Sequence, residues 1–425
     1  MALRSPGQPG RRRSTNLSDQ RQRRGKRPND GGFSSTSRVV GSFLRSVREG
    51  QNLSQDQVAA LSGGGAWRLS RSAISAIERG RNLPSLEALI ALSRVLHIDP
   101  LEVIERAELG PQHMPPDIAN LTVDELDKRA YDLFWEGEHR EGLVIYDAML
   151  DQLTLDPPED PAAVVRLQAK VELKRSSALR RCGALLAARA AVERSISLAK
   201  DLPEVQAQAY TMLSTLYAQM DHISLAEDTS ARAVALAAEC GDRIHGRSLI
   251  NQGLVLIQSG SHESARQVLV KARDLVVRSG DDRHMPHVEG HLGICWLKLG
   301  KPRQASEHIG RAVKIAHRAR LPALEATWLV DLGRIALAEQ DYDNAERYAT
   351  RALRIATAGE QWLTIFRAEW LRHCIRRQLK PSDPDRTRIG YLKKLLSRLE
   401  EHRSQEAVQE FKAEVFGTHD RRRTS

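Results

Sequence analysis

At 425 residues the chain is long enough for two or three domains and a sizeable core, and it contains no apolar run long enough to span a bilayer. Aromatic residues make up only 4% while Ala and Leu are abundant, a balance that suits helices packed closely on helices. Residues 1–38 carry ten Lys/Arg against two acids, so this segment holds +8 of the net +10 and the rest of the chain is nearly neutral. A charge argument for nucleic acid therefore applies to the tail alone. The four cysteines, Cys182, Cys240, Cys295 and Cys374, are widely spaced and form no CxxC pair. They are expected to be reduced thiols of a cytoplasmic protein, and the N-terminus lacks the apolar segment of a signal peptide.

Residues 1–38, rich in Gly, Ser, Pro and Arg, bury too little apolar surface to order themselves and are expected to be disordered. The tail is either simply solvated or a basic arm that adds sequence-blind phosphate contacts or reaches a minor groove. Residues 39–107 read as five short helices. The first, near Val39–Arg48, places Val40, Phe43, Leu44 and Val47 on one face. The second starts at Ser54, where Ser54 and Gln57 form a capping box, and carries Val58, Ala59 and Leu61 inward. The third starts at Ser70, buries Ile74 and Ile77, and stops at Gly80 ahead of Pro84. Its outer face holds Arg71, Ser72, Ala76 and Arg79, small and basic enough to enter a DNA major groove. The fourth has Ser85 as cap and buries Leu86, Leu89, Ile90 and Leu92. The fifth opens at Asp99-Pro100, with Glu102 completing a second box.

The run Arg48-Glu-Gly-Gln-Asn-Leu53-Ser54-Gln55-Asp-Gln-Val58-Ala59, then Ser70-Arg-Ser-Ala-Ile74-Ser-Ala-Ile77-Glu78-Arg-Gly80, then Pro84-Ser-Leu86-Glu-Ala-Leu89, resembles the phage-repressor-like, Cro-type helix-turn-helix family. The resemblance implies that Gln55 bonds a phosphate, that Arg71, Ser72 and Ala76 face base edges, and that Arg79 and Asn82 approach the opposite backbone. It also implies that Arg48 and Glu78 tie the first helix to the third. Arg71 is the best base reader, since its fork matches guanine O6 and N7. Ser70 caps the reading helix at the DNA side. Between the second and third helices, Ser62-Gly-Gly-Gly65-Ala-Trp67-Arg68-Leu69 is longer than the family turn, and Arg68 within it is placed to touch the DNA backbone.

Residues 108–120, with three prolines and a glycine, read as a linker. Residues 121–380 repeat. Six sets of positions share offsets of seven, five and seven: Ala130, Gly137, Gly142 and Met149; Ser176, Gly183, Ala188 and Ser195; Ser214, Asp221, Ala226 and Ala233; Gly253, Gly260, Ala265 and Ala272; Gly293, Gly300, Ala305 and Ala312; Gly333, Gln340, Ala345 and Ala352. Small residues belong where two antiparallel helices cross, and a Gly or polar residue where the first helix stops. The pattern resembles the tetratricopeptide repeat, although successive sets lie 46, 38, 39, 40 and 40 residues apart against a usual period of about 34. The expected fold is therefore all-α: a five-helix DNA-binding domain followed by an α-solenoid of about six helix pairs. Residues 381–416 read as capping or dimerisation helices, and residues 417–425 as a disordered tail.

The first helix of each pair is expected to line a concave groove, with Lys170, Lys174, Gln208, Met212, Arg247, Asn251, Gln258, His287, His291, Lys298 and Arg334 pointing inward. An Asn there can bond both N–H and C=O of an extended peptide, and the cations favour carboxylates. The alternative is that these are ordinary exposed polar residues. His287, His291 and Cys295 share one helix face, but no fourth metal ligand is apparent, and no metal or cofactor is expected. No phosphate loop, nucleophile elbow or metal tetrad is present in the sequence, so an enzyme is not expected.

A Cro-type reader ahead of a tetratricopeptide-like solenoid resembles the peptide-responsive transcription regulators of Gram-positive bacteria. That resemblance implies a cytoplasmic homodimer on double-stranded DNA, a peptide or protein in the solenoid groove, and no membrane association. The rival reading is an interaction scaffold whose helix-turn-helix domain does not read DNA specifically.

Overall fold

The computed structural model describes residues 35–63, 68–109, 118, 121–136, 138–359, 361–382, 385–396, 399 and 406–417. Among them the chain is all-α, with twenty α-helices, one short 3-10 helix at Asp282–His284 and no strand. Residues 1–34, most of the expected linker and residues 418–425 lie outside the described residues, as do Gly64–Trp67 in the long turn. The chain divides into two compact units, Met1–Leu96 and His97–Ser425.

The first unit holds α1 (Ser35–Gly50), α2 (Gln55–Leu61), α3 (Arg71–Glu78) and α4 (Leu86–Leu96). Helix α1 begins at Ser35, so the end of the segment read as tail is helical; Ser37 Oγ donates to the Gly80 carbonyl at 2.6 Å and anchors that first turn. Val40, Phe43, Leu44, Val58, Ile74, Ile77, Leu89 and Leu92 form the core. Two expected core residues are not in it. Leu61 and Leu86 are 60% and 68% exposed, because α2 is two turns long with only Val58 facing in, and α4 buries Ala88 and Ala91 on its inner side instead. Helices α1 and α3 cross at Gly41, where a Cβ would lie 2.3 Å from the Ile77 carbonyl oxygen.

Helix α5 (Pro100–Leu109) belongs to the second unit and packs on α9. Asp99 caps it through the Leu101 amide at 2.9 Å. Glu102 does not close the expected box; it is buried between Arg106 and Arg194, each at 3.9 Å, and burial outweighs the two cations and holds its carboxyl above the usual carboxylate range. Glu105 reaches the amides of Leu186 and Ala187 and so caps the start of α9.

Six helix pairs follow: α6 (Val123–Glu136) with α7 (His139–Leu155), α8 (Pro161–Arg181) with α9 (Leu185–Leu198), α10 (Pro203–Gln219) with α11 (Ile223–Ala237), α12 (Asp242–Gln258) with α13 (His262–Ser279), α14 (Met285–Lys298) with α15 (Pro302–Arg318), and α16 (Pro322–Ala338) with α17 (Tyr342–Ala358). The repeat pattern finds its cause here. Gly183, Asp221, Gly260, Gly300 and Gln340, the second members of sets two to six, all have left-handed backbone, with φ between 62° and 85°. Each stops a first helix in the αL conformation that frees the chain to turn back. In sets two to six the third and fourth members are fully buried where the second helix crosses the first. A Cβ on Gly293 would stand 2.4 Å from Ile309, so bulk is excluded there.

Consecutive first helices touch one another, α8 on α10 and onward to α16 on α18 (Trp362–Leu379), whereas neighbouring second helices do so far less. The first helices therefore line the inner face. Helix α19 (Arg386–Leu396) packs on α18, and α20 (Glu406–Val415) completes the end of the solenoid.

Candidate functional site

The reading helix is built by local rules. Ser70 sits in extended backbone and its Oγ accepts from the Ala73 amide at 3.1 Å, leaving Arg71 and Ser72 exposed in the first turn. The helix stops at Gly80, φ +67°, where any Cβ would strike Arg38. Arg79 and Asn82 are exposed beyond it, and Arg68 is exposed ahead of it. Ala76 is half-buried, so the face is recessed at that point. Ser54 and Gln57 form the reciprocal capping box that starts α2.

Arg48 holds this helix in place. Its Nε and Nη2 donate to the two oxygens of Glu78 at 2.6 and 3.0 Å, and its Nη1 donates to the Leu53 carbonyl at 2.7 Å. The hydrogen bond to Glu78 raises the Arg48 guanidinium above its ordinary range, against the effect of burial. Gln55 Nε2 also donates to Glu78, at 2.7 Å, so the side chain expected on a phosphate is turned onto the same carboxylate. Sequence reasoning missed Asp56, whose carboxylate lies 3.6 Å from Arg71. Both side chains are two-thirds exposed, so the pair is worth little and opens readily. The signal was available: Asp56 is in the first turn of α2, next to the start of α3.

The inner-face residues of the solenoid fall into groups. Lys170, Gln208 and Gln258 are exposed, and Met212 packs against the core of the first repeats. Lys174 is paired with Asp127 at 2.5 Å and Arg247 with Asp281 at 2.8 Å. The amide of Asn251 is engaged by Ser214 and Thr215 of the preceding pair, so it joins two repeats in place of presenting both its groups to the groove. His287 and His291 stack with centroids 6.1 Å apart, and His291 meets the edge of Trp328 at 5.4 Å. Burial pushes His287 down to about 3 and His291 to about 4, which keeps both neutral. Among the described residues no group of His, Cys, Asp and Glu is placed to hold a metal ion, and no disulfide links any two of the four cysteines. No described helix is long and apolar enough to cross a membrane. Lys298 and Arg334 both point at α20, a partner the sequence reading did not assign them.

Several solved structures are similar in fold. PlcR of Bacillus thuringiensis, solved in complex with the peptide PapR7 and DNA, is 13% identical over 68% of this chain and 99% of its own, with a TM-score of 0.40. A Rap protein complexed with Competence and Sporulation Factor is 12% identical over 71% of this chain and 99% of its own, TM-score 0.48. The competence regulator ComR of Streptococcus vestibularis, in its apo form, is 16% identical over 71% and 99%, TM-score 0.35. No curated protein sequence matches the chain. The family model described as helix-turn-helix matches residues 44–103, the span that contains α2, α3, α4 and the Arg48–Glu78 tie. Residues 44–103 are a helix-turn-helix domain of the Cro type.

Proposed function

We propose that this chain is a sequence-specific DNA-binding transcriptional regulator of the cytoplasm, acting by binding and not by catalysis. Its solenoid takes a peptide or protein, pairs two copies of the chain, or does both, and so controls DNA binding. The observation that carries the reading is the outward face of α3, where capped Ser70 presents Arg71 and Ser72 to solvent while Glu78 is locked to Arg48 behind it. A recognition helix needs that division between a fixed back and an open front. Arg71 exchanges its exposed partner Asp56 for a base edge at little cost. Coupling to the solenoid requires its ligand to bind one arrangement of the protein better than another.

The test is a mobility-shift assay on genomic fragments across a salt series. Arg71→Ala is expected to cost about 1–3 kcal/mol of binding and to relax sequence preference. Unchanged specificity in Arg71→Ala and Gln55→Ala overturns the docking. The rival scaffold reading gains from Gln55 being held by Glu78. It wins if only sequence-blind binding is seen and that binding vanishes on deleting residues 1–38.

A further inference from the structure

Helix α20 reads Glu406-Ala-Val-Gln-Glu410-Phe-Lys-Ala-Glu414-Val, with three carboxylates four residues apart on one face. All three meet donors from the inner face of the solenoid. Glu406 accepts from Arg334 of α16 at 2.8 Å and from Lys298 of α14 at 3.3 Å. Glu410 accepts from Arg334 at 3.2 Å and from the Trp370 indole N–H of α18 at 2.9 Å. Glu414 meets Arg377 and, at 3.3 Å, His373, both on α18. The acidic stripe thus spans three consecutive first helices, and it engages two of the cations that the repeat pattern assigned to the groove.

The attachment is specific in chemistry but not tightly sealed. Phe411 is fully buried, edge-on to Phe366 and Trp370 at 5.4 and 5.5 Å. Beside it a cavity of about 840 Å3 stays open between α16, α18 and α20, with Arg334, Trp370 and Cys374 on one wall and Glu410 and Glu414 on the other. Glu406 and Glu410 are about half exposed, so their ion pairs are individually weak. Ala407, Val408 and Phe411 seat α20 in a core with Phe366, Trp370 and Leu395, while its acidic edge stays half-solvated beside the cavity, so that edge is where a competing helix gains entry.

We propose that the inner face of α14, α16 and α18 is a binding site for an acidic amphipathic helix, with carboxylates four residues apart and an aromatic anchor among them, and that α20 is its resident internal competitor. This deepens the proposed function by naming the chemistry of the solenoid's partner, and rests on that reading for its regulatory meaning. Tethering gives α20 an effective concentration on the order of millimolar, so an external segment of the same chemistry must displace it or wait for it to leave.

The test is fluorescence anisotropy of a labelled synthetic peptide spanning residues 404–417, titrated with full-length protein. The wild type is expected to bind weakly. Full-length E406Q/E410Q and, separately, Phe411→Ala, each checked by circular dichroism for an intact helical fold, loosen α20 and are expected to bind the peptide about tenfold tighter or more. Arg334→Glu added to either variant is expected to remove the gain, as is a peptide with all three acids changed to Gln. Equal binding by wild type and both loosened variants, no peptide binding by a folded loosened variant, or indifference to Arg334→Glu overturns the proposal. A mobility shift with the same variants reports separately on DNA binding, so failure of the regulator reading is distinguishable from failure of the site.

Discussion

Arg48 and Glu78, thirty positions apart, meet as a bidentate pair with both side chains nearly buried, at 2.6 and 3.0 Å. The pair joins α1 to the last residue of α3, so the orientation of the reading helix is fixed from behind by charge as well as by Ile74 and Ile77. Removing Glu78 leaves the nearly buried Arg48 with only the half-exposed carboxylate of Glu49, at 3.1 Å, as counter-charge. Glu78→Ala is expected to destabilise the first unit by about 3–5 kcal/mol, and the double change Arg48→Met/Glu78→Leu by clearly less. Urea denaturation followed by circular dichroism checks both. Equal losses in the single and double variants would contradict the pairing.

Glycines at helix crossings separate from glycines in open space. Gly41→Ala drives a methyl into the Ile77 and Glu78 carbonyls, and Gly293→Ala into Ile309 and the Ala305 carbonyl. Each is expected to cost about 1–3 kcal/mol. Gly142, within α7, has nothing within 4 Å of a Cβ, and Gly142→Ala is expected to stabilise by up to about 1 kcal/mol through helix propensity. Thermal melts of the three variants decide the order.

The left-handed turn residues predict a second contrast. Gln340, φ +62°, bears the steric cost of that region, so Gln340→Gly is expected to stabilise by about 1 kcal/mol, less the entropy that glycine adds to the unfolded chain. Asp221, φ +64°, tolerates the region better, and Asp221→Gly is expected to be near neutral. Amide exchange in α16 and α17 reports the first change locally.

Stability is expected to fall with acid in a definite window. His287 and His291 titrate in the fold near 3 and 4, well below the usual histidine value of about 6.5. Above pH ~6.5 neither state holds the protons and stability is complete. Between there and pH ~4 the unfolded chain binds protons that the folded one refuses, so stability drops by up to about 1.4 kcal/mol per pH unit for each histidine. Urea midpoints at pH 8, 7, 6 and 5 measure the slope, and His287→Gln/His291→Gln should flatten it. A slope unaltered by that double change would sink the assignment.

Much of this was legible in the sequence, because it is written in local rules. Caps at Ser54 and Ser70, the stop at Gly80 and the seven-five-seven spacing depend on residues near one another in the chain. They carry over into α2, α3 and the six helix pairs. What could not be read is long-range. Leu61 and Leu86 look apolar enough for a core, but the shortness of α2 and the small inner residues of α4 leave them outside. Asn251, Lys298 and Arg334 were placed on the inner face by periodicity, and no periodicity shows that Ser214 or a helix some 70 residues downstream of Arg334 already engages them. Glu102 looked like a local cap and is instead a buried partner of Arg194.

The placement of α5 has a practical consequence for cutting and splicing the chain. The helix-turn-helix match runs to residue 103, yet Glu102 inside it pairs with Arg194 of the repeats, and Glu105, just past it, caps α9. A reader excised at the family boundary carries away Glu102 while its partner Arg194 stays behind, and cuts α5 in two. A chimera that sets these repeats behind a foreign reader should begin its cassette at His97, where φ is +51° and the first unit has ended, so that the repeats keep the helix that packs on α9 and caps it.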